Sequence, residues 1–327
     1  MCSIIKKNKM KKKKILVCGS TGFIGRNTIE GLVKRDDFEI YGTYNKRDQI
    51  DYPGVVMIKV DLTNKNQVDM AIEGKNIIIQ LASTTSGAKD IISKPYIHVT
   101  DNAVMNSLIF RSAYENEVQQ LIFPSCTIMY QSSETPLKEN DFKLDDKINP
   151  IYFGAGWTKV YLEQMCDFYS RIGNTKFTVF RHSNIYGPYD KFDLEKSHVF
   201  GATITKVMYA KNGSKIPVWG TGEEERDLLY VSDIVNFIEK AIDKQKTNYE
   251  LVNVGYGKPI SVRNLVKKIV EKSGKNLEIE YDTSKPTIKT TLSLDSTYAK
   301  DTFGWVPLVP LDLGIEKTIK WYRENIQ

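Results

Sequence analysis

The chain has 327 residues, 41% hydrophobic, 26% charged and 11% aromatic, with a formal net charge of +6. That length is ample for a large core, and the composition excludes a disordered chain, a collagen-like repeat and a coiled coil. The charge is concentrated in Lys6, Lys7, Lys9 and Lys11 to Lys14, which precede the first acid. The rest of the chain is near neutrality, so the basic balance does not point to nucleic acid. No apolar run approaches the ~20 residues of a membrane span, and the lysine-rich start lacks the apolar stretch of a secretory signal. Four cysteines, Cys2, Cys18, Cys126 and Cys166, show no CxxC spacing, the usage expected of a reduced, cytoplasmic protein.

A short apolar run at 15–18 reads as a first strand that breaks at Gly19, and a helical pattern follows over 24–34. Further strands are predicted at 38–44, 55–60, 77–81, 120–124 and 177–181, with helices at about 65–73, 95–117 and 156–172. Strands alternating with helices predict an α/β fold with a doubly wound parallel sheet. Beyond 181 the texture changes: Gly187, Pro188, Gly213, Pro217, Gly220 and Gly222 punctuate shorter elements, as in a smaller C-terminal α/β domain carrying specificity loops. Helices return at about 231–243, 261–273 and 311–325.

The strongest local motif is Gly19-Ser20-Thr21-Gly22-Phe23-Ile24-Gly25, between the first strand and the first helix. Gly19 frees the backbone to turn, Gly22 lets a pyrophosphate approach, and Gly25 lets the helix pack on the strand. The first-turn amides, including those of Phe23 and Ile24, then face the phosphates. This marks residues 15–181 as a dinucleotide-binding Rossmann domain and 182–327 as mainly substrate-binding, with some segments returning to the first domain. Residues 1–14 form a lysine-rich lead-in. The same glycines are compatible with a tight turn that holds no ligand. The second strand ends Thr43-Tyr44-Asn45-Lys46-Arg47, with no acid before Asp48 to accept ribose hydroxyls. Lys46 and Arg47 suit a 2′-phosphate, which favours NADP over NAD, unless they are ordinary surface cations.

The GxxGxxG spacing, Asp61-Leu62 after the third strand and Leu81-Ala82 after the fourth resemble the extended short-chain dehydrogenase/reductase superfamily, whose members mostly act on nucleotide sugars. The likeness runs nearly end to end. It continues through 181–188 (RHSNIYGP, like R-P-x-N-x-Y-G-P), Gly220-Thr221-Gly222, Arg226-Asp227, Tyr230-Val231-Ser232-Asp233 and 303–307 (FGWVP). The stretch from Gly187 to Val199 is similar to the GPxDNF…SHV segment of the GDP-fucose synthase family.

The resemblance implies a set of roles. Lys159 takes the place of the lysine that holds the nicotinamide ribose, and Asp61 that of the adenine acceptor. His198 stands where the family has a catalytic histidine that works with a cysteine. Asn184, Arg226 and Lys289 stand where it contacts the substrate diphosphate, Trp219 is a candidate for stacking on the base, and Val199 adjoins His198. The superfamily also places a tyrosine four residues before the lysine, one helical turn away, where the cation lowers the phenol pKa. That position is Ala155. Either Ala155 disables the proton donor, or the protein works without it.

Cys126 stands at the catalytic Ser/Thr position, flanked by Ser125 and Thr127, and Tyr152 is a substitute phenol only if the chain folds back. A thiol beside Lys159 has reason to ionise. The expected partner is a nucleotide-diphosphate sugar, GDP-linked by the resemblance, handled by a homodimer or larger homo-oligomer with no metal. A dinucleotide-binding sensor or assembly protein without turnover is the competing reading.

Overall fold

The computed structural model describes residues 12–85, 94–194, 197–285 and 290–326. In chain order its elements begin with β1 (Lys13–Cys18), α1 (Phe23–Leu32), β2 (Phe38–Tyr44), β3 (Val55–Lys59), α2 (Lys65–Ile72) and β4 (Ile77–Gln80). There follow α3 (Thr100–Glu115), β5 (Gln120–Pro124), α4 (Phe153–Ile172), β6 (Lys176–His182), β7 (Asn184–Tyr186) and α5 (Val199–Tyr209). The last third holds β8 (Lys215–Trp219), β9 (Glu225–Tyr230), α6 (Val231–Lys244), β10 (Tyr249–Val254), β11 (Pro259–Ser261), α7 (Val262–Ser273), β12 (Glu278–Asp282), α8 (Thr297–Phe303) and α9 (Leu311–Asn325).

Seven strands in the order β10-β6-β5-β4-β1-β2-β3, every pair parallel, form the main sheet. Side chains alternate between its faces. Ile15, Val17, Ile79 and Phe180 pack with Ile29 of α1 and Phe237 of α6 on one face. Leu16, Cys18, Ile78 and Leu121 pack with Phe110 of α3 and Leu162 of α4 on the other. Burial on both faces explains the unbroken apolar runs. From β1 the strand order proceeds in opposite directions, and a crevice opens beyond the carboxyl ends of β1 and β4, where such folds take ligands.

A second core joins α5, α7 and α9 (Ile204, Leu265, Ile315, Tyr322) to β9 (Leu228, Tyr230). Two small sheets, β11-β9-β7 and β12-β8, edge it. Asp227, fully buried in β9, accepts the backbone amides of Tyr256, Gly257 and Leu294 at 2.9–3.0 Å and so ties this lobe to the end of β10.

Two expectations shift. The helical pattern at 95–117 divides into a 3₁₀ turn at Pro95–His98 and α3. The helix expected from 156 starts at Phe153, after a 3₁₀ turn at Pro150–Tyr152 in which the Asn149 side chain accepts the Ile151 amide. Ala155 and Lys159 therefore do share one continuous helix.

Candidate active site

Three glycines shape the phosphate loop. Gly19 has φ +74°, and a Cβ there would lie 2.6 Å from Ala82 Cα; a Cβ on Gly25 would lie 2.2 Å from the Gly19 carbonyl oxygen. Gly22 caps α1 without any side-chain acceptor, leaving the first-turn amides for a ligand. The Thr21 carbonyl accepts bonds from Arg47 Nη1 at 3.1 Å and Arg26 Nε at 3.3 Å, which sets two guanidinium groups against the loop. A backbone free of side chains, open amides and nearby cations fit a dinucleotide diphosphate.

The crevice is a cleft of about 870 Å³. It gathers Gly19, Thr21, Gly22, Phe23, Ile24 and Gly25 with Asn45, Lys46 and Arg47 beyond β2, Asp61 and Leu62 beyond β3, and Leu81 and Ala82 beyond β4. Ser125, Cys126 and Thr127 beyond β5, Tyr152 and Lys159, Asn184 and His198 complete the sequence-derived lining. Asp61 accepts from the Thr63 hydroxyl at 2.6 Å and amide at 3.0 Å; these bonds, helped by Lys46, hold its carboxyl below the usual range.

Ala155 lines the same cleft, one turn from Lys159. Lys159 Nζ donates to the Pro124 carbonyl at 2.8 Å and lies 4.6 Å from the centre of the Phe123 ring. Burial lowers its pKa. At Cys126 burial raises the thiol pKa more than Lys159 lowers it, which favours the neutral thiol over the thiolate that its neighbour suggested. Tyr152 ends the 3₁₀ turn at the start of α4, packed with Cys126 and Trp157 around Met129 and Val160. Burial raises the Tyr152 phenol pKa, with Arg226 acting against it.

The two hydroxyls beside Cys126 differ. Ser125, 1% exposed, donates to Glu163, which is held by Arg181 through Nη2–Oε2 at 2.6 Å and Nε–Oε1 at 3.0 Å. Its hydroxyl therefore fastens the β5 end to the buried ion pair beneath the cleft, whereas Thr127 lines the cleft half-buried.

His198 caps α5 and is accessible within the cleft walls, where the surrounding protein, then Lys191 and Arg226, lower its pKa. Imidazole at this site is neutral near pH 7. His182 is a second cleft imidazole that the sequence left as structural. Its Nδ1 lies 2.8 Å from the Ser183 carbonyl, which fixes Nδ1 as the donor, and burial pushes its pKa down to about 4. Asp190 and Lys191 also line the cleft without having been singled out, although both lie in the GPYDKF segment; burial pushes the Asp190 carboxyl up to about 7. His98 and Asn102 reach the lining from the segment around α3, which carries no sequence signal for it.

Three expected substrate contacts, Val199, Trp219 and Arg226, lie apart from this lining. Val199, the first residue of α5, packs against the second core. Trp219 ends β8, 48% exposed, with Lys206 Nζ 6.0 Å from its ring. Arg226 on β9 donates through Nη1 to the Thr290 carbonyl and hydroxyl, both at 2.9 Å, yet its charge acts on both Tyr152 and His198. Lys289 lies outside the described residues. Asn184 donates to the Asp227 carbonyl at 3.3 Å. Among the described residues no cluster of His, Cys, Asp or Glu is placed to hold a metal, and no helix is long and apolar enough to cross a membrane.

Residues 15–255 match the model of the NAD dependent epimerase/dehydratase family. The chain is 28% identical over 317 residues to a GDP-L-fucose synthase of Azorhizobium caulinodans, covering 95% of this chain and 97% of that one. It is 26% identical over 314 residues to a GDP-L-colitose synthase of Yersinia pseudotuberculosis, at 94% and 97% coverage. Among solved structures, the UDP-glucose 4-epimerase of Thermotoga maritima with UDP-glucose superposes with a TM-score of 0.84 at 23% identity, covering 96% of this chain and all of that one.

Proposed function

The chain belongs to the NAD dependent epimerase/dehydratase family, and on that premise we propose that it is an NADP-linked oxidoreductase acting at C4 of a GDP-linked hexose or heptose. It serves as a 4-dehydrogenase or 4-keto-sugar reductase in the making of surface-polysaccharide sugars. That it is an NAD(P)-dependent enzyme follows from the family and its relatives. The finer reading is carried by one observation: phosphate loop, Lys159, Cys126 and His198 line a single cleft.

The bound dinucleotide supplies hydride exchange; the chain supplies the rest. Gly19 to Gly25 seat its diphosphate, Asp61 and Leu62 with Leu81 and Ala82 line the adenosine side, and Lys159 orients the ribose. Lys46, Arg47 and Asn45 receive a 2′-phosphate, consistent with the absence of an acid at that strand end. Neutral His198 takes the proton of the sugar hydroxyl when C4 is oxidised, and when a C4 ketone is reduced the un-ionised Cys126 thiol, with Thr127 beside it, gives the single proton its oxygen needs; positioned groups of this kind contribute ~10²–10⁴-fold. Tyr152 and Asn184 face the sugar diphosphate, with Arg226 and Trp219 farther along it, and the family resemblance adds Lys289 as a further cation for the diphosphate. Two proton-moving groups across one sugar also suit a C4 epimerase or a dehydratase, the second reading.

Val104 of α3 and Tyr161, Phe168 and Ile172 of α4 are exposed apolar side chains on two helices that pack together, which supports a homodimer through that face. The test is spectroscopic. Reduced dinucleotide absorbs at ~340 nm, and a GDP-4-keto sugar added to protein loaded with NADPH should discharge that band. A band that persists with both NADPH and NADH would favour a sensor without turnover.

A further inference from the structure

Among the described residues only two that are not glycine have positive φ, Glu117 at 49° and Tyr189 at 68°. The left-handed conformation is disfavoured for a bulky residue, so its surroundings must hold it. Those surroundings are unusually directed. The Tyr189 hydroxyl donates to Glu30 at 2.6 Å, the Arg26 guanidinium lies 5.2 Å from its ring centre, and Trp321 of α9 meets the ring edge at 4.9 Å. Asn27 Nδ2 donates to the neighbouring Pro188 carbonyl at 3.0 Å. Arg26, Asn27 and Glu30 all belong to α1, the helix whose first turn faces the diphosphate, and Arg26 Nε donates to Thr21 in the phosphate loop.

On its other side Tyr189 leads into the sugar wall of the cleft. Asp190 and Lys191 line it, and Lys191 Nζ donates to the Thr85 carbonyl at 2.8 Å. The Lys191 carbonyl accepts the Ser197 hydroxyl just ahead of His198. Gly201 in the first turn of α5 backs onto the same carbonyl so closely that a Cβ there would come within 2.4 Å. Residues 188–191 are thus fastened to α1 at one end and to the cap of α5 at the other.

We infer that Tyr189 is a positioning residue coupling the two halves of the cleft: diphosphate on the phosphate loop acts through Arg26 and Tyr189 on the placement of Asp190, Lys191 and His198. Dinucleotide and nucleotide sugar therefore favour each other's binding, and the coupling is reciprocal. The inference rests on the dinucleotide reading of the loop and names a residue at the unspecified position of the GPxDNF-like segment.

Only three histidines are present, so each imidazole is separable by NMR. ADP is the probe, because it fills the phosphate loop without the nicotinamide end. In the wild type, saturating ADP should move the His198 signal. In Tyr189→Ala, ADP should still bind while the His198 response falls by more than half; Tyr189→Phe, which keeps the ring and loses only the Glu30 bond, should fall between. Should Tyr189→Ala not fold, Glu30→Ala on the surface of α1 should weaken the response as Tyr189→Phe does. A wild-type His198 blind to bound ADP, or a full response in the variants, overturns the coupling. Failure of ADP to bind the wild type at all overturns the dinucleotide reading and the coupling together.

Discussion

Glu163→Gln tests the platform under the cleft. The substitution keeps the size of the side chain and deletes its charge. Arg181 and Glu163 side chains are 4% and 2% exposed, and Arg181 Nη1 also donates to the Tyr130 hydroxyl at 2.9 Å and the Glu139 carbonyl at 3.0 Å, so the guanidinium has nowhere to turn. Breaking a buried pair by neutralising one partner costs ~3–5 kcal/mol, chiefly because the other charge stays buried. Unfolding entropy near ~2.1 cal/mol/K per residue gives ~0.7 kcal/mol/K for a chain of this length, hence a melting temperature lower by about 4–7 °C. Thermal melts by circular dichroism read this directly. The double variant Glu163→Met with Arg181→Met, which removes both charges, should melt above the single variant. Because Ser125 also donates to Glu163, kcat should fall while dinucleotide affinity is kept. A melting temperature within about 1 °C of wild type would refute the reasoning, since no buried charge could then have been stranded.

His198→Asn should lower kcat by ~10²–10⁴ with dinucleotide affinity unchanged, measured by stopped-flow turnover and fluorescence titration. The wild-type rate of sugar oxidation should fall only below the ordinary imidazole range as pH drops, because the surrounding protein, with Lys191 and Arg226, lowers the His198 pKa and only the neutral ring accepts a proton; an acid limb above pH ~6.5 would contradict this. Arg47→Ala should weaken NADP more than NAD by ~10-fold, as about 1.4 kcal/mol of charge-assisted bonding is lost; equal losses for both would place no 2′-phosphate there. Asp190→Asn should stabilise the protein at pH 8 and not at pH 3. The native carboxyl keeps its proton up to about 7 while the unfolded one releases it near 3.8, so wild-type stability drains as pH rises through that window. Melting curves with the same difference at both pH values would contradict that sign.

Much of the site was legible because it is built from local rules. The glycine loop needs particular backbone geometry, and β1, β4 and β5 are buried on both faces, so their apolar runs and abrupt ends marked where the cleft opens. Lys159 was legible only through the likeness of its segment to the family. Less legible was what depends on partners distant in the chain. Ser125 and Thr127 look alike in sequence, and only the Arg181–Glu163 pair beneath Ser125 separates them. Cys126 beside Lys159 suggested a thiolate until its burial was known. His182 and Asp190 owe their lowered and raised pKa values to enclosure by both lobes. The short strands β7, β8, β11 and β12 span three to five residues, too few for a period to declare itself.

The most direct test of C4 chemistry is isotopic. NADPH carrying deuterium at its transferable C4 position, incubated with the protein and a GDP-4-keto sugar, should deliver the label to C4 of the sugar, read by NMR of the product. A reduced product without label at C4, or with label at another carbon, would contradict it.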